Sequence, residues 1–139
     1  IRIYVKVPLT QIGIQAAKIL LQENCLVTFT ACYEIKQMLV AAALGASNVA
    51  PYLGRINDQG RDGHSEIVAM QKTLEGVNSK CKLLVASLRN TNELWQLASE
   101  GIQTFTISSN LASELLDSPC SMQAAKAFEV DAHFSSEAY

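Results

Sequence analysis

Polar and apolar residues alternate strictly over the first seven positions, which is the two-residue period of a β-strand. The segment reads Ile-Arg-Ile-Tyr-Val-Lys-Val, so Arg2, Tyr4 and Lys6 share its polar face. Because Pro8 cannot extend a central ladder, the pattern places Lys6 at the carboxyl end of this strand. In largely apolar surroundings desolvation favours a neutral amine, which can attack a carbonyl carbon. The alternative is an edge strand whose polar face meets water.

Hydrophobic spacing along the rest of the chain predicts further strand–helix pairs. Strands are predicted at residues 26–30, 49–52, 82–86 and 103–107. Helices are predicted at residues 10–24, 33–44, 65–77, 90–101, 109–118 and 122–130, with a loop at 53–63 and a loose polar tail at 131–139. In the first helix the apolar residues at helical spacing are Ile12, Ala16, Ile19 and Leu20. This alternation indicates parallel βαβ units, in a doubly wound sheet or a (β/α)8 barrel.

Composition narrows the class of protein. The chain has 139 residues, is 49% hydrophobic and carries a net charge of −2, which argues against a nucleic-acid-binding surface. No apolar run approaches the roughly 20 residues of a membrane helix. The cysteines, Cys25, Cys32, Cys81 and Cys120, form no CxxC pair, so metal and redox motifs are weakly supported. We expect buried free thiols in a soluble protein of a reducing compartment, the cytoplasm or the plastid stroma.

Residues with hydrogen-bonding groups recur at the predicted carboxyl ends of the strands, where barrel enzymes collect their chemistry. They are Lys6, Thr30, Tyr52, Ser87 and Thr106, and each follows a different strand. Each has a simpler explanation taken alone, since a hydroxyl there is often a helix cap and a tyrosine often packs in the core. A ring of such residues around one lysine favours a functional site.

Five motifs occur in a fixed order along the chain. They are Val5-Lys6-Val7-Pro8, Thr28-Phe29-Thr30-Ala31, Ala50-Pro51-Tyr52-Leu53-Gly54-Arg55-Ile56, Asp62-Gly63 and Ala86-Ser87-Leu88-Arg89-Asn90. The ordered set resembles the small transaldolase and fructose-6-phosphate aldolase family of class I aldolases, over nearly the whole chain to about residue 130. The resemblance implies a (β/α)8 TIM barrel, of which this chain covers about five βα units from the fourth strand onward. Residues 1–130 would then be the C-terminal part of the barrel and 131–139 a polar tail.

The resemblance also implies catalytic roles. Lys6 matches the lysine that forms the Schiff base, and Thr30 matches the threonine that helps to hold the catalytic water. Tyr52 stands where the aldolase branch has tyrosine and classical transaldolases have phenylalanine. These residue types suit the chemistry, because cleaving the C3–C4 bond of a ketose needs removal of the C4 hydroxyl proton, which a phenol or water could relay.

A phosphate site is implied by the same resemblance. Arg55, Ser87 and Arg89 match its residues, and planar guanidinium groups bind phosphate oxygens bidentately. Each arginine alone is more often a solvated charge, and Asp58 and Asp62 are expected to be loop caps. The resemblance implies a sugar-phosphate substrate and neither a metal nor a cofactor.

Three βα units of the family have no counterpart here, among them those that supply a first-strand aspartate and a third-strand Glu or Gln. Two hypotheses follow. The first is a class I aldolase that acts on sugar phosphates through Lys6. The second is a catalytically inactive transaldolase-like subunit bound to a larger assembly. We expect a homo-oligomer if the missing units are present in the full protein, and docking to a larger complex if they are absent.

Overall fold

A computed structural model describes residues 3–136 of the chain, and the side chains of residues 3–133. In chain order the elements are β1 (Tyr4–Pro8), α1 (Gln11–Gln22), β2 (Leu26–Cys32), α2 (Gln37–Ala43), β3 (Asn48–Pro51), α3 (Leu53–Asp58), α4 (Gly63–Gly76), β4 (Lys82–Leu83), α5 (Thr91–Ser99), α6 (Ser109–Glu114) and α7 (Pro119–Ser136). The chain divides into two compact units between Ile107 and Ser108. The first unit holds β1 to α5, and the second holds α6 and α7.

All four strands run parallel and lie in the order β1-β2-β3-β4, joined by helical crossovers. This confirms the predicted parallel βαβ pattern. The predicted strand at 103–107 is wrong in extent, because it forms a single parallel bridge between Val85 and Phe105. Two backbone hydrogen bonds hold that bridge, from Val85 N to Thr104 O (3.0 Å) and from Thr106 N to Val85 O (2.9 Å). Closure into an eight-stranded barrel stays a prediction.

Register across the sheet separates an apolar face from a polar one. One row consists of Val7, Phe29, Val49 and Leu83, all buried. They form one core with residues from the helices, which are Ala17, Met38, Ala41, Ile56, Ile67, Met70, Leu74 and Leu97. Full burial of each large apolar side chain contributes about 1.5–3 kcal/mol, so this face holds the unit together.

Helix α1 begins after its predicted cap, but the face that it buries differs from the predicted one. Thr10 caps it by accepting from Gly13 N at 3.1 Å. Its buried residues are Gly13 and Ala17, whereas Ile12 is 80% exposed and Ile19 is 63% exposed. A Cβ on Gly13 would lie 1.9 Å from Pro8 O, so only a bare glycine lets the helix pack this closely on the end of β1. The buried face of α1 is therefore centred on two small residues, and Ile14, Leu20 and Leu21 pack against the core beside them.

Local signals predicted several other boundaries. Asp62 caps α4 and Asn90 caps α5, each accepting from a backbone amide. Helix α2 is shorter than predicted, because the side chain of Gln37 accepts from the amides of Tyr33 (2.8 Å) and Glu34 (2.9 Å) and ties residues 33–36 into a turn. Helix α3 lies where a loop was predicted, which is a correction to the predicted loop at 53–63.

The second unit also extends further than the sequence predicts. Ser108, one position before the predicted start, caps α6 by accepting from Leu111 N at 3.2 Å. Helix α7 starts at Pro119, because a proline is tolerated in the first turn of a helix. It continues to Ser136, so the predicted loose tail is wrong for residues 131–136. Ile1, Arg2 and residues 137–139, which fall in the predicted first strand and tail, lie outside the described residues.

The four cysteines are free thiols, and two of them are buried. Burial raises the pKa of the Cys32 thiol to about 12, and burial likewise raises the pKa of Cys81 to about 12. Both therefore stay protonated at neutral pH and behave as small apolar residues. Among residues 3–136, no helix is both long enough and apolar enough to cross a membrane.

We predict that Gly13→Ala lowers the free energy of unfolding by about 1–3 kcal/mol, because backbone atoms of Pro8 occupy the space that the new methyl group needs. Chemical denaturation of the purified variant measures the free energy of unfolding. Gly76→Ala is the matched control, since its Cβ would meet nothing within 4 Å at the end of α4. Alanine there should be neutral or slightly stabilising. Equal effects of the two substitutions would contradict the close packing of α1 on β1.

Candidate active site

Two of the candidate residues are in direct contact at the carboxyl ends of neighbouring strands. Thr30 lies near the end of β2, and Tyr52 follows β3 at once. Their oxygens, Thr30 Oγ1 and Tyr52 Oη, are 2.6 Å apart, and either can donate the hydrogen bond. The Arg55 guanidinium lies over the Tyr52 ring, with Cζ 4.9 Å from the ring centroid, which is within cation–π range. Thr30, Tyr52 and Arg55 therefore form one continuous cluster.

The backbone of β2 is irregular immediately after Thr30. Its pairing with β3 shifts register between Phe29 and Cys32, and Ala31 has a φ of 55°. Positive φ is uncommon for a residue other than glycine, and such irregularities bend a strand and redirect its side chains. The distortion lies where the hydroxyl of Thr30 meets the phenol of Tyr52.

Tyr33 also belongs to this cluster, although sequence reasoning missed it. Its ring lies edge-on to Tyr52, with centroids 5.7 Å apart and an interplanar angle of 78°. Its hydroxyl accepts a hydrogen bond from Arg55 Nη1 at 3.4 Å. The available signal was its position three residues after Thr30, in the same loop. Tyr52 and Arg55 are thus held by a second aromatic residue.

Arg61 fastens the loop that carries Tyr33. Arg61 Nη2 donates to Tyr33 O at 2.8 Å, and Nη1 donates to Glu34 Oε1 at 3.0 Å. Its Nε donates to Glu66 Oε1 at 2.7 Å, and Nη2 also contacts the second oxygen of Glu66. The Arg61 side chain is 27% exposed, and its contacts with Tyr33 O, Glu34 and Glu66 connect the loop to α4.

Ser87 and Arg89 meet α3 at Gly54. Gly54 N donates to Ser87 O at 3.0 Å, and Ser87 has a φ of 62°. A Cβ on Gly54 would lie 2.5 Å from Ser87 O, 2.7 Å from Arg89 Nε and 3.0 Å from Ser87 Oγ. The absence of a side chain at Gly54 therefore allows both candidate phosphate-binding residues to approach α3 closely.

Asp58 interacts with both candidate arginines. Arg89 Nη2 donates to Asp58 Oδ2 at 2.5 Å, and both side chains are 53% exposed. The hydrogen bond from Arg89 lowers the pKa of the Asp58 carboxyl, and the charge of Arg55 lowers it further. The expected role of Asp58 as a loop cap is wrong, because it ends α3 and pairs with Arg89. Asp62 does cap α4, as expected.

Lys6 lies on the same face of the sheet, one row before the Thr30–Tyr52 pair. It is in register with Thr28, and Pro8 is in register with Thr30. Two residues of a strand span about 6.6 Å, which is the spacing between these rows. Lys6 is exposed on β1, which lies at an edge of the described sheet. Within residues 3–136 Lys6 is therefore exposed rather than in the predicted apolar surroundings, and its role stays a prediction.

The row that contains Lys6 is polar throughout. It continues through Thr28 and Asn48 to Lys82 in β4. Thr28 is buried and accepts a hydrogen bond from Asn48 Nδ2 at 3.2 Å. No group of three or more metal-ligating side chains forms a cluster within residues 3–136.

A cavity of about 540 Å³ lies away from these residues. Its lining includes Leu39, Ala46, Val77 and Cys81, at the amino-terminal ends of β3 and β4, and none of the six candidate residues. At the carboxyl ends of the strands, Thr30, Tyr52 and Ser87 are half-buried, whereas Lys6, Arg55 and Arg89 are exposed.

Solved structures of mandelate oxidase variants resemble this fold. One with (S)-mandelic acid and one with a monooxide FMN adduct each give a TM-score of 0.52 at 15% sequence identity. The alignment covers 68% of this chain and 28% and 30% of those chains, respectively. At this identity the likeness shows the α/β fold alone.

Sequence comparison is more specific. A probable transaldolase of Chelativorans sp. (strain BNC1) is 33% identical over 129 residues, which are 93% of this chain. The chain spans 59% of the length of that relative. The sequence model described as transaldolase/fructose-6-phosphate aldolase matches residues 1–138. The chain belongs to the transaldolase/fructose-6-phosphate aldolase family.

Proposed function

We propose that the protein is a class I aldolase of the transaldolase type, which cleaves or transfers the dihydroxyacetone unit of sugar phosphates through a Schiff base on Lys6. The observation that carries the proposal is the 2.6 Å hydrogen bond between Thr30 and Tyr52, one row beyond Lys6 on the same face of the sheet. Membership of the family supports the reaction type, and a relative is a probable transaldolase.

Lys6 supplies the nucleophile in this proposal. In its neutral form Nζ attacks the C2 carbonyl carbon of the ketose. The neutral adduct then takes up a proton from water and loses a water molecule, which leaves an iminium ion. The exposed position of Lys6 gives a substrate access to Nζ, and the four-carbon stem can extend along the sheet towards the next row. The cationic iminium nitrogen then accepts the electron pair of the breaking bond.

The Thr30–Tyr52 pair moves the proton. When the C4 hydroxyl loses its proton, the C3–C4 bond breaks, the aldehyde leaves and the electron pair converts the iminium to an enamine. A phenol and a hydroxyl that are already hydrogen bonded can pass that proton to water. Arg55 over the ring and Tyr33 at its edge hold the phenol in place.

Arg55, Ser87 and Arg89 bind the phosphate group of the substrate. Arg89 pairs with Asp58, and the charge of Arg55 also acts on that carboxylate. Ser87 Oγ lies close to the same glycine as Arg89 Nε. Guanidinium groups offer paired donors to phosphate oxygens, and a serine hydroxyl adds a further donor. The phosphate end of the substrate is thereby separated from the carbonyl end at Lys6.

We predict that sodium borohydride traps a covalent adduct on Lys6 when the intact protein is incubated with fructose 6-phosphate or dihydroxyacetone. Reduction of the iminium makes the bond permanent, and peptide mass spectrometry locates the added mass. Lys6→Met should abolish the label.

Lys82→Met is the matched control, because Lys82 is an exposed lysine in the same row of the sheet. This variant should keep the label. An adduct that survives Lys6→Met would refute the assignment, whereas no adduct in the unmodified protein would favour the inactive-subunit hypothesis.

We predict that Arg89→Ala lowers kcat/KM for fructose 6-phosphate by about 10- to 150-fold, because a charge-assisted hydrogen bond to the substrate contributes about 1.5–3 kcal/mol. The loss should be much smaller when dihydroxyacetone is the donor and an unphosphorylated aldehyde is the acceptor, because neither carries a phosphate. Steady-state kinetics with both substrates measures the difference. Lys72→Ala, which removes an exposed cation from α4, is the control. Equal losses on both substrates would show that Arg89 does not bind phosphate.

We predict that Tyr52→Phe lowers the rate of aldol cleavage by about 10²-fold, because it removes the phenol that relays the proton. Transfer between sugar phosphates should be less affected. Phenylalanine keeps the ring beneath Arg55 and beside Tyr33. Tyr33→Phe is the control, since it also removes a tyrosine hydroxyl but leaves the Thr30–Tyr52 hydrogen bond. An unchanged ratio of cleavage to transfer in Tyr52→Phe would refute this role.

A further inference from the structure

Asp58 places a carboxylate inside the group of residues to which phosphate binding is assigned above. We propose that Asp58 is a specificity-determining residue, which weakens binding of phosphorylated substrates by pairing with Arg89 and by placing a negative charge beside Arg55. The inference rests on the proposed function, because it concerns the same phosphate site. In this proposal the carboxylate of Asp58 competes with the substrate phosphate for the Arg89 guanidinium.

Three elements of geometry bring these charges together. Arg55 and Asp58 are three residues apart on α3, so they lie on one side of the helix. Arg89 comes from the loop after β4 and reaches Asp58 Oδ2 with Nη2 at 2.5 Å. The bare backbone of Gly54 allows Arg89 Nε to lie against α3. The result is a patch of two cations and one anion.

Much of the hydrogen-bonding capacity of these arginines is free. A guanidinium has five N–H donors. Within the part of the chain that the structure describes, the Arg89 guanidinium has one hydrogen-bond acceptor, Asp58, and the Arg55 guanidinium has one, Tyr33 Oη. Arg61, by contrast, donates to Glu34, Glu66 and Tyr33 O. Arg55 and Arg89 therefore keep donors that can bind a ligand, whereas the donors of Arg61 are used in structural contacts.

The carboxylate of Asp58 opposes an incoming phosphate in two ways. It occupies a donor of Arg89 that the phosphate would use, and its charge repels the phosphate dianion. Both arginines stabilise the ionised carboxylate, so it stays charged at neutral pH. Because the pair is half exposed, water screens it, and the opposing effect is of the size of a surface ion pair. We expect a two- to fivefold effect on affinity.

Neutralising Asp58 in the intact protein tests the inference. Asp58→Asn should tighten the Kd for inorganic phosphate by about two- to fivefold, measured by calorimetry at low ionic strength. The ratio of kcat/KM for fructose 6-phosphate to that for dihydroxyacetone should rise by a similar factor. Asp58→Ala, which also removes the acceptor, should give at least the same gain. Glu75→Gln removes one exposed negative charge that contacts Gln71 instead, and it should change neither quantity.

A double-mutant cycle identifies the route of the effect. In an Arg89→Ala background, Asp58→Asn should give a smaller gain in phosphate affinity than in the unmodified protein. The pairing with Arg89 is already absent there, so the substitution removes only the effect of the Asp58 charge on Arg55. A gain of the same size in both backgrounds would overturn the pairing as its cause.

Failure of the inference and failure of the proposed function give different results. Unchanged or weaker phosphate binding in both Asp58 variants, with binding still lost in Arg89→Ala, would overturn the role of Asp58 and leave the phosphate site standing. Phosphate affinity that is unaffected by Arg55→Ala and Arg89→Ala would remove the phosphate site itself, and the inference with it.

Discussion

Parallel pairing brings the carboxyl ends of all the described strands to the same end of the sheet. Residues far apart in the chain, such as Thr30 and Tyr52, therefore meet there without any local interaction between them. The alternation within each strand then directs apolar side chains towards the helices and leaves the polar row of Lys6 on the other face. The candidate site depends on both properties, since a change of direction or a one-residue slip in a single strand would separate its members.

Close backbone contacts refine this arrangement at two glycines. Gly13 brings α1 against the end of β1, and Gly54 brings α3 against the loop after β4. At both positions the neighbouring atoms fill the volume that a side chain would need. Packing at Gly54 thus determines how near Ser87 and Arg89 come to α3, which carries Arg55. The interactions between the charges of Arg55, Asp58 and Arg89 follow from that placement. The surface ion pair of Asp58 with Arg89 is a consequence of this packing rather than a support for it.

Local chemistry explains which parts of the fold could be predicted from sequence. The caps at Thr10, Asp62 and Asn90 depend on residues three positions away, and the strand pattern depends on near neighbours. Helix α3 could not be predicted in the same way. Its six residues are too few to be stable alone, and it forms because Leu53 and Ile56 are buried in the core.

The residues of the candidate site differ in the same way: some were predicted from sequence motifs, and others are recognised only from contacts in the structure. The ordered motifs were enough to place the chain in its family and to select Thr30, Tyr52 and Arg55 as candidates. Tyr33 and Arg61 were missed, and Asp58 was assigned as a loop cap, because all three lie outside those motifs and their partners are 22 to 31 positions away in the chain. The strained conformations of Ala31 and Ser87 bear on any effort to diversify this protein by laboratory evolution. Glycine, asparagine and aspartate tolerate positive φ, whereas β-branched residues do not, so libraries that randomise positions 31 and 87 freely would contain members that lose stability at these positions before any new specificity could be selected.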